Sequence, residues 1–249
     1  MLDNKKLKDL LGKPRIENYA YLVAKNRPLS FVAESFQKIV LNIEYLNVDH
    51  DYKILQFTST EPSEGKSTTI SNIAYLMARE GKKVLLLDLD LRKPKLNRVF
   101  DDRVSANLTD YLTGKVKVED IIQRSEELEI DYIINKESST AVINLLKSQK
   151  LAQLLASLRE KYDYILLDSP PVESLSDALY VTKLADGVIF VVGYGQAKKA
   201  FVKDAVESLR GHGANILGAI LSQVEMKRKL HTYNYYYLNK KEKRKKHRI

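Results

Sequence analysis

The sequence predicts an α/β fold with a mostly parallel central sheet flanked by helices on both faces. Short, continuously apolar runs recur along the chain, which is typical of strands that are buried on both faces. Amphipathic segments lie between these runs, and this alternation is typical of parallel sheets. The predicted strands are KILQFTS (53–59), KVLLLDLD (83–90), DYIIN (131–135), DYILLDSP (163–170), GVIFVVG (187–193) and NILGAILS (215–222).

Helix-like segments complete this pattern and set the expected domain limits. A helix is predicted over 31–46 with Ser30 as its N-cap, because a serine hydroxyl accepts a hydrogen bond from a free N–H of the first turn. Further helices are predicted over 67–80, 150–161 and 199–211. We expect a polar leader over 1–27, one α/β domain over 28–224, and a flexible tail over 225–249 that holds a tyrosine cluster and a basic run.

Composition excludes several classes of protein. The net charge of +9 from 41 basic and 32 acidic residues would suit a nucleic-acid binder, but residues 227–249 alone carry ten Lys/Arg and one acid. The remainder is therefore formally neutral, and we expect no nucleic-acid partner. There is no cysteine, which excludes disulfides. No stretch reaches the ~20 apolar residues that a membrane helix needs, so the chain is expected in the cytoplasm, with any membrane attachment peripheral.

The most informative motif is QFTSTEPSEGKSTT (56–69), which follows one predicted strand and opens a helix. In such a P-loop, backbone N–H groups cradle phosphates, Lys66 reaches the β/γ oxygens and the Ser67 hydroxyl ligates Mg²⁺. The usual first glycine is replaced by Thr60. The strand–loop–helix context still predicts binding of ATP with Mg²⁺. The predicted nucleotide-binding residues are Glu61, Pro62, Ser63, Glu64, Gly65, Lys66, Ser67 and Thr68.

Three carboxylates follow predicted strands and should approach this loop. Asp88 and Asp90 end KVLLLDLD, with Arg92 just beyond, and Asp168 ends DYILLD. Ligands of open parallel sheets lie at the carboxyl ends of the strands, so these side chains should converge on the P-loop. On one extended strand Asp88 and Asp90 would point to the same side. One could ligate the metal while the other accepts a proton from an attacking hydroxyl.

Together these motifs resemble the bacterial P-loop protein-tyrosine kinases, specifically the cytoplasmic subunit of Gram-positive capsule and exopolysaccharide systems. The resemblance covers about residues 28–237. The matching motifs are Ser59-Thr-Glu-Pro62-Ser-Glu-Gly65-Lys66-Ser67-Thr68, Asp88-Leu-Asp90-Leu-Arg92, Asp168-Ser-Pro170 and the tyrosines Tyr233, Tyr235, Tyr236 and Tyr237; NLTDYLTG (107–114), SDAL (176–179) and DGVIFVV (186–192) also match.

The resemblance implies a role for each motif. Lys66 and Ser67 would bind ATP-Mg, Asp88 would activate the tyrosine hydroxyl, Asp90 and Asp168 would hold the metal, and Arg92 would complete the catalytic set. It also implies a membrane-spanning adaptor of the polysaccharide co-polymerase type that activates the kinase and holds it at the inner face of the membrane, and a cognate tyrosine phosphatase.

Two departures from the family pattern limit which of the family's properties we expect in this chain. Members usually have E-x-x-R-x-x-R in the helix before the P-loop for self-association into a homo-oligomer, but here Glu34 is followed by Gln37 and Val40. Without the two guanidiniums, bidentate pairing across that interface is lost. The loop NKESSTAV (135–142) lacks the usual Gly and Pro, so its conformation is not transferred.

Two rival functions remain open on the sequence. A ParA/MinD-like ATPase shares the deviant P-loop, but that group has a second lysine where this chain has Glu61. A catalytically weak nucleotide-binding regulator of a polysaccharide export complex would keep the same motifs.

The tail HTYNYYYLNKKEKRKKHRI combines two features. The four clustered tyrosines follow the last predicted strand, and we expect them to be the sites of autophosphorylation. Each phosphate adds about −1.5 to −2 charges, which would offset the basic run at 240–248. That run is expected to contribute at an acidic membrane surface, at about 1 kcal/mol per cation.

Overall fold

The computed structural model describes residues 21–100, 106–135, 137–172 and 176–225. The tyrosine cluster and the basic run lie outside the described residues. The helices, numbered in chain order, are α1 (Val23–Asn26), α2 (Phe31–Leu46), α3 (Lys66–Arg79), α4 (Leu108–Leu112), α5 (Val118–Ile121), α6 (Val142–Leu146), α7 (Gln149–Arg159), α8 (Asp177–Thr182) and α9 (Lys199–Gly211). The strands are β1 (Ile54–Ser59), β2 (Val84–Asp88), β3 (Gln123–Ser125), β4 (Ile130–Ile133), β5 (Tyr164–Asp168), β6 (Gly187–Gly193) and β7 (Ile216–Ser222).

In the part of the chain that the structure describes, the strands form one sheet in the order β3-β4-β2-β5-β1-β6-β7. All neighbouring pairs are parallel except β3 with β4. The mostly parallel sheet predicted from the apolar runs is therefore confirmed. β3 was not predicted, because its sequence, QRS, is short and has no apolar pattern.

The sheet is covered on both faces because alternate residues of each central strand point to opposite sides. On one side, Leu55 and Phe57 of β1 pack in a core with α2 and α3. On the other side, Leu85 and Leu87 of β2 pack in a second core with α4, α6 and α7. The buried surface on both faces explains why the strands appear in the sequence as continuous apolar runs.

The N-terminal segment packs more closely than its polar sequence suggests. Leu22 and Ala24 are buried in the core beneath α2 and α3. The Asn72 side chain of α3 holds this segment, since its amide donates to the Tyr21 carbonyl at 2.8 Å and its oxygen accepts from the Ala24 N–H at 2.8 Å. The part of the predicted 1–27 leader from Tyr21 to Ala24 is therefore attached to the domain.

Two local predictions have different outcomes. α2 begins as expected, because the Ser30 hydroxyl accepts the Ala33 N–H at 3.1 Å. β2 ends at Asp88, two residues before the predicted limit, so Asp88 and Asp90 do not lie on one strand. Asp88 instead lies beside Asp168 in the β2–β5 register. None of the described helices has both the length and the apolar character that a membrane-spanning helix requires.

Candidate nucleotide site

The loop between β1 and α3 has the geometry of a phosphate-binding loop. α3 begins at Lys66, and Gly65 caps it with a left-handed φ of 86°. A Cβ at Gly65 would also lie only 3.3 Å from Ser222 Oγ, so both conformation and space favour glycine there. The helix N-terminus presents free N–H groups and a partial positive charge, which together favour a bound phosphate.

Lys66 lies inside the loop rather than in solvent. Its side chain is almost completely buried, with the residue 6% exposed, and Nζ donates to Ser59 Oγ at 3.2 Å. Ser59 in turn donates to the Glu61 carbonyl at 2.7 Å, which ties the end of β1 to the loop. The ammonium group is thus held in place before any phosphate arrives.

The remaining loop residues show how the loop is held. Glu64 is fully buried, and its carboxylate accepts the N–H groups of Glu61 at 3.1 Å and of Gly193 at 3.3 Å. Thr60, where the common motif has glycine, is also fully buried, and its hydroxyl has no hydrogen-bond partner among the described residues. The loop therefore carries a buried acid and a buried hydroxyl that a standard P-loop does not need.

Ser67 and Asp168 form the part of the site that fits a metal ion. Ser67 Oγ donates to Asp168 Oδ2 at 2.6 Å, while Asp168 Oδ1 is buried without a partner among the described residues. An orphaned carboxylate oxygen beside a P-loop serine suits Mg²⁺, which in proteins takes one or two carboxylates together with substrate phosphates. Over the described ranges no cluster of three or more carboxylate or histidine ligands occurs.

Asp88 lies deeper than a surface-facing catalytic base. It is fully buried, Oδ1 accepts the Asp90 N–H at 3.0 Å, and Oδ2 accepts the N–H groups of Lys95 and Leu96 at 3.2 Å. Burial, with repulsion from Asp168, raises the pKa of Asp88 well above its usual value. The side chain therefore anchors the loop after β2, and its raised pKa makes it a stronger proton acceptor when ionised.

Asp90 is only partly buried, in contrast to Asp88. Burial raises its pKa, while attraction to Lys66 and Lys95 opposes the rise. The structure thus brings Lys66, Ser67, Asp88, Asp90 and Asp168 together, as the sequence predicts. Their functional roles stay predictions.

Arg92 turns away from this group towards α8. Its guanidinium contacts Asp177 through two hydrogen bonds, Nε to Oδ2 at 2.5 Å and Nη2 to Oδ1 at 3.3 Å. Asp177 is completely buried, whereas the Arg92 side chain is 37% exposed. The pair fixes the loop after β2 to the helix that follows β5, so the geometry places Arg92 as a structural link beside the site.

The cleft above the loop has about 190 Å³ of space and includes residues that lie outside the predicted site. Beyond the P-loop it is lined by Tyr21, Lys95, Val99 and Gln223. Lys95 adds a second cation close enough to lower the pKa values of Asp90 and Asp168. Tyr21, Val99 and Gln223 belong to none of the motifs identified in the sequence. Lys95 lies three residues after Arg92, which ends one of them.

Because the carboxylate of Asp168 is buried, we expect it to lower the stability of the folded protein when it is ionised. Burial, with repulsion from Asp90, raises its pKa from 3.8 to about 6, against the pull of Lys66 and the Ser67 hydroxyl. Because the folded-state pKa exceeds the unfolded value, stability falls as pH rises between those two values and stays low above them. Without nucleotide, Asp168→Asn should therefore unfold at pH 8 with a free energy about 1–3 kcal/mol higher than the wild type.

Denaturant titrations at pH 8 and pH 4 test this expectation. The advantage of Asp168→Asn should disappear at pH 4, where the wild-type carboxyl is already protonated. Asp204→Asn, on the exposed face of α9, is the control and should leave stability unchanged at both pH values. A destabilised Asp168→Asn at pH 8 would contradict the account.

A P-loop after the first parallel strand, with carboxylates from two neighbouring strands at the same edge, defines a P-loop nucleotide-binding protein. The sequence matches a family described as an AAA domain over residues 52–197. It is 34% identical over 215 residues to the tyrosine-protein kinase YwqD of Bacillus subtilis, covering 86% of this chain and 90% of that protein. It is 30% identical over 202 residues to the tyrosine-protein kinase CpsD of Streptococcus agalactiae, covering 81% and 86%. The chain belongs to the family of bacterial P-loop tyrosine-protein kinases.

Solved structures agree with this assignment. The chimerical protein CapA2B2 superimposes with a TM-score of 0.79 at 27% identity, covering 90% of this chain and all of that chain. The septum site-determining protein MinD from Pyrococcus horikoshii, complexed with Mg-ADP, gives a TM-score of 0.60 at 26% identity, covering 73% and 76%. The likeness to MinD is a relationship of fold, and the rival interpretation as a MinD-like ATPase is not supported further.

Proposed function

We propose that this chain is an ATP-dependent protein-tyrosine kinase that phosphorylates its own C-terminal cluster, Tyr233, Tyr235, Tyr236 and Tyr237, and thereby regulates capsular or exopolysaccharide synthesis. The observation that carries the proposal is the arrangement at the P-loop, where Ser67 donates to Asp168 and leaves one buried carboxylate oxygen open. Family membership supplies the reaction class, and the tail supplies acceptors of the right chemical type.

Each loop residue has a task in this reaction. Lys66 and the N–H groups at the start of α3 bind and orient the triphosphate. Ser67, Asp168 and Asp90 would hold Mg²⁺, which when bound neutralises charge that develops on the transferred phosphoryl group. Glu61 to Thr68 would enclose the phosphates, and the burial of Lys66 would keep its charge directed at them rather than at water.

The acceptor hydroxyl must lose a proton as it is phosphorylated. Asp88 is assigned as the base because burial raises its pKa and so increases its affinity for that proton. Since both of its oxygens accept backbone N–H groups and the residue is fully buried, the loop that follows β2 must open locally before a tyrosine hydroxyl reaches it. Asp90, which is more exposed, would remain with the metal.

Partners follow from the same family assignment. A membrane-spanning adaptor of the polysaccharide co-polymerase type would activate the kinase and hold it peripherally at the inner face of the membrane, and a cognate phosphatase would reverse the modification. Self-association through α2 would differ from the family pattern. Gln37 is exposed, but Val40 is completely buried in the core, so that position offers no side chain to a partner.

Replacement of the four tail tyrosines tests the proposed acceptor. The chain with Tyr233, Tyr235, Tyr236 and Tyr237 changed to phenylalanine should lose most phosphotyrosine formed with Mg-ATP and the adaptor's cytoplasmic segment, because the acceptor oxygens are gone while the nucleotide site is intact. ATP binding should be unchanged. Tyr45→Phe, an exposed tyrosine of α2, is the control. Undiminished incorporation in the fourfold variant would refute the tail as acceptor.

A further inference from the structure

Two side chains at the end of β7 hold the P-loop by donating hydrogen bonds to main-chain carbonyl groups of the loop. Ser222 Oγ donates to the Glu64 carbonyl at 2.5 Å, and Gln223 Nε2 donates to the Ser63 carbonyl at 2.8 Å. Gln196, in the loop after β6, donates to Gln223 Oε1 at 2.5 Å and fixes the orientation of that amide. Two successive carbonyl groups of the phosphate loop are therefore held by side chains that lie about 160 residues away in sequence.

The direction of these carbonyl groups matters for phosphate binding. In a trans peptide the C=O and the following N–H point in opposite directions. Holding the Ser63 and Glu64 carbonyls against β7 therefore turns the N–H groups of Glu64 and Gly65 away from β7. Ser63, Gly65 and Gln223 all line the cleft beside Lys66. The contact would therefore leave these two backbone donors free to face a phosphate in the cleft.

Backbone strain is concentrated at this contact. Over the described ranges the non-glycine residues with left-handed φ are Ser63 at 69°, Gln223 at 58° and Glu129 at 58°. The first two are the residues joined by the Gln223–Ser63 hydrogen bond. Strained residues of this kind persist where the surrounding structure enforces them, and they cluster at functional sites.

We propose that Gln223 is a positioning residue that holds the P-loop in its phosphate-binding conformation. The inference rests on the proposed binding of ATP at this loop. Gln223 also lies two residues before the end of the described chain at 225, where the segment that leads to the tyrosine cluster begins. Because coupling of this kind is reciprocal, bound nucleotide should in turn stabilise the contact at Gln223.

The variant Gln223→Gly separates positioning from folding. Glycine adopts positive φ without cost, so the substitution relieves strain while it removes the hydrogen bond to Ser63. The melting temperature should stay the same or rise. The Kd for Mg-ATP should rise about threefold to tenfold, because of the two hydrogen bonds that the side chain loses only the one to Ser63 reaches the P-loop. The KM for ATP should rise in proportion with kcat nearly unchanged, since the loss affects binding throughout the reaction.

Glu129→Gly is the matched control, because it relieves the same strain in the exposed β3–β4 turn, away from the P-loop. It should leave the Kd for Mg-ATP unchanged. Gln223→Asn provides a second test, since asparagine tolerates positive φ but is one methylene too short to reach Ser63. It should weaken binding as the glycine variant does.

An unchanged Kd in Gln223→Gly and Gln223→Asn, or an equal rise in Glu129→Gly, would overturn the inference while leaving the proposed kinase function intact. Failure of the wild-type protein itself to bind Mg-ATP would overturn the proposed function and this inference with it.

Discussion

Lys66→Ala is expected to lower tyrosine phosphorylation by at least about 10²-fold, the typical loss when one preorganised electrostatic group is removed from a catalytic site. Lys66 is buried, its ammonium is fixed by Ser59, and its positive charge opposes the rise that burial causes in the pKa values of Asp90 and Asp168. Its loss removes the cation that faces the phosphates and leaves the neighbouring carboxylates to repel them. Both ATP affinity and phosphoryl transfer should therefore fall.

Incorporation of labelled phosphate from Mg-ATP measures this effect. Lys66→Arg should also be strongly impaired, because the wider guanidinium does not fit the closed space beside Ser59. Lys203→Ala on the exposed face of α9 removes an equal charge from a residue that does not line the cleft, and it should keep full activity. A Lys66→Ala protein that retained more than about a tenth of wild-type activity would contradict the assignment.

Asp88→Asn is expected to lower kcat by about 10²–10⁴-fold, the usual contribution of a positioned general base. The amide cannot accept the tyrosine proton. In the wild-type protein the carboxylate accepts backbone N–H groups at both oxygens. Asparagine has only one acceptor oxygen, so the substitution also breaks contacts at the other position. The affinity for ATP should change much less than kcat, because the side chain does not line the phosphate cleft.

Single-turnover rates and ATP binding, measured side by side, distinguish a base from an anchor. If Asp88 served only to hold the loop after β2, Asp88→Asn would raise the Kd for ATP and lower the melting temperature, with kcat nearly unchanged. Asp90→Asn is the informative comparison, since the loss of a metal ligand should make activity recover in part at high Mg²⁺ concentration. Recovery of Asp88→Asn under the same conditions would argue against its role as base.

The parts of the fold that were predictable are those with a local signal. Each central strand is buried on both faces and so appears as an apolar run, and the P-loop has its glycine, lysine and serine within three consecutive positions. The carboxyl ends of parallel strands share one edge, which is why the sequence alone predicts that Asp88 and Asp168 lie near Lys66. Ser30 is likewise predictable as an N-cap, because serine directly before a helical segment is a local signal.

The remaining features depend on contacts between distant segments. The pairing of Arg92 with Asp177 joins residues 85 positions apart, and no local pattern identifies its partner. Leu22 lies in a short apolar stretch, YLVA (21–24), within the predicted polar leader, yet it is completely buried under α3, where Asn72 binds the main chain of Tyr21 and Ala24. The hydrogen bond from Gln223 to Ser63 likewise depends on β6 lying beside β1 and on β7 lying beside β6, which is a property of sheet order rather than of local sequence.

The most direct test of the account is to map phosphotyrosine by mass spectrometry after the protein is incubated with Mg-ATP and the cytoplasmic segment of its adaptor. We expect phosphate on Tyr233, Tyr235, Tyr236 or Tyr237 in the wild-type protein, and at most about a hundredth as much in Lys66→Ala. Hydrolysis of ATP by the wild-type protein with no phosphotyrosine on any chain would contradict it.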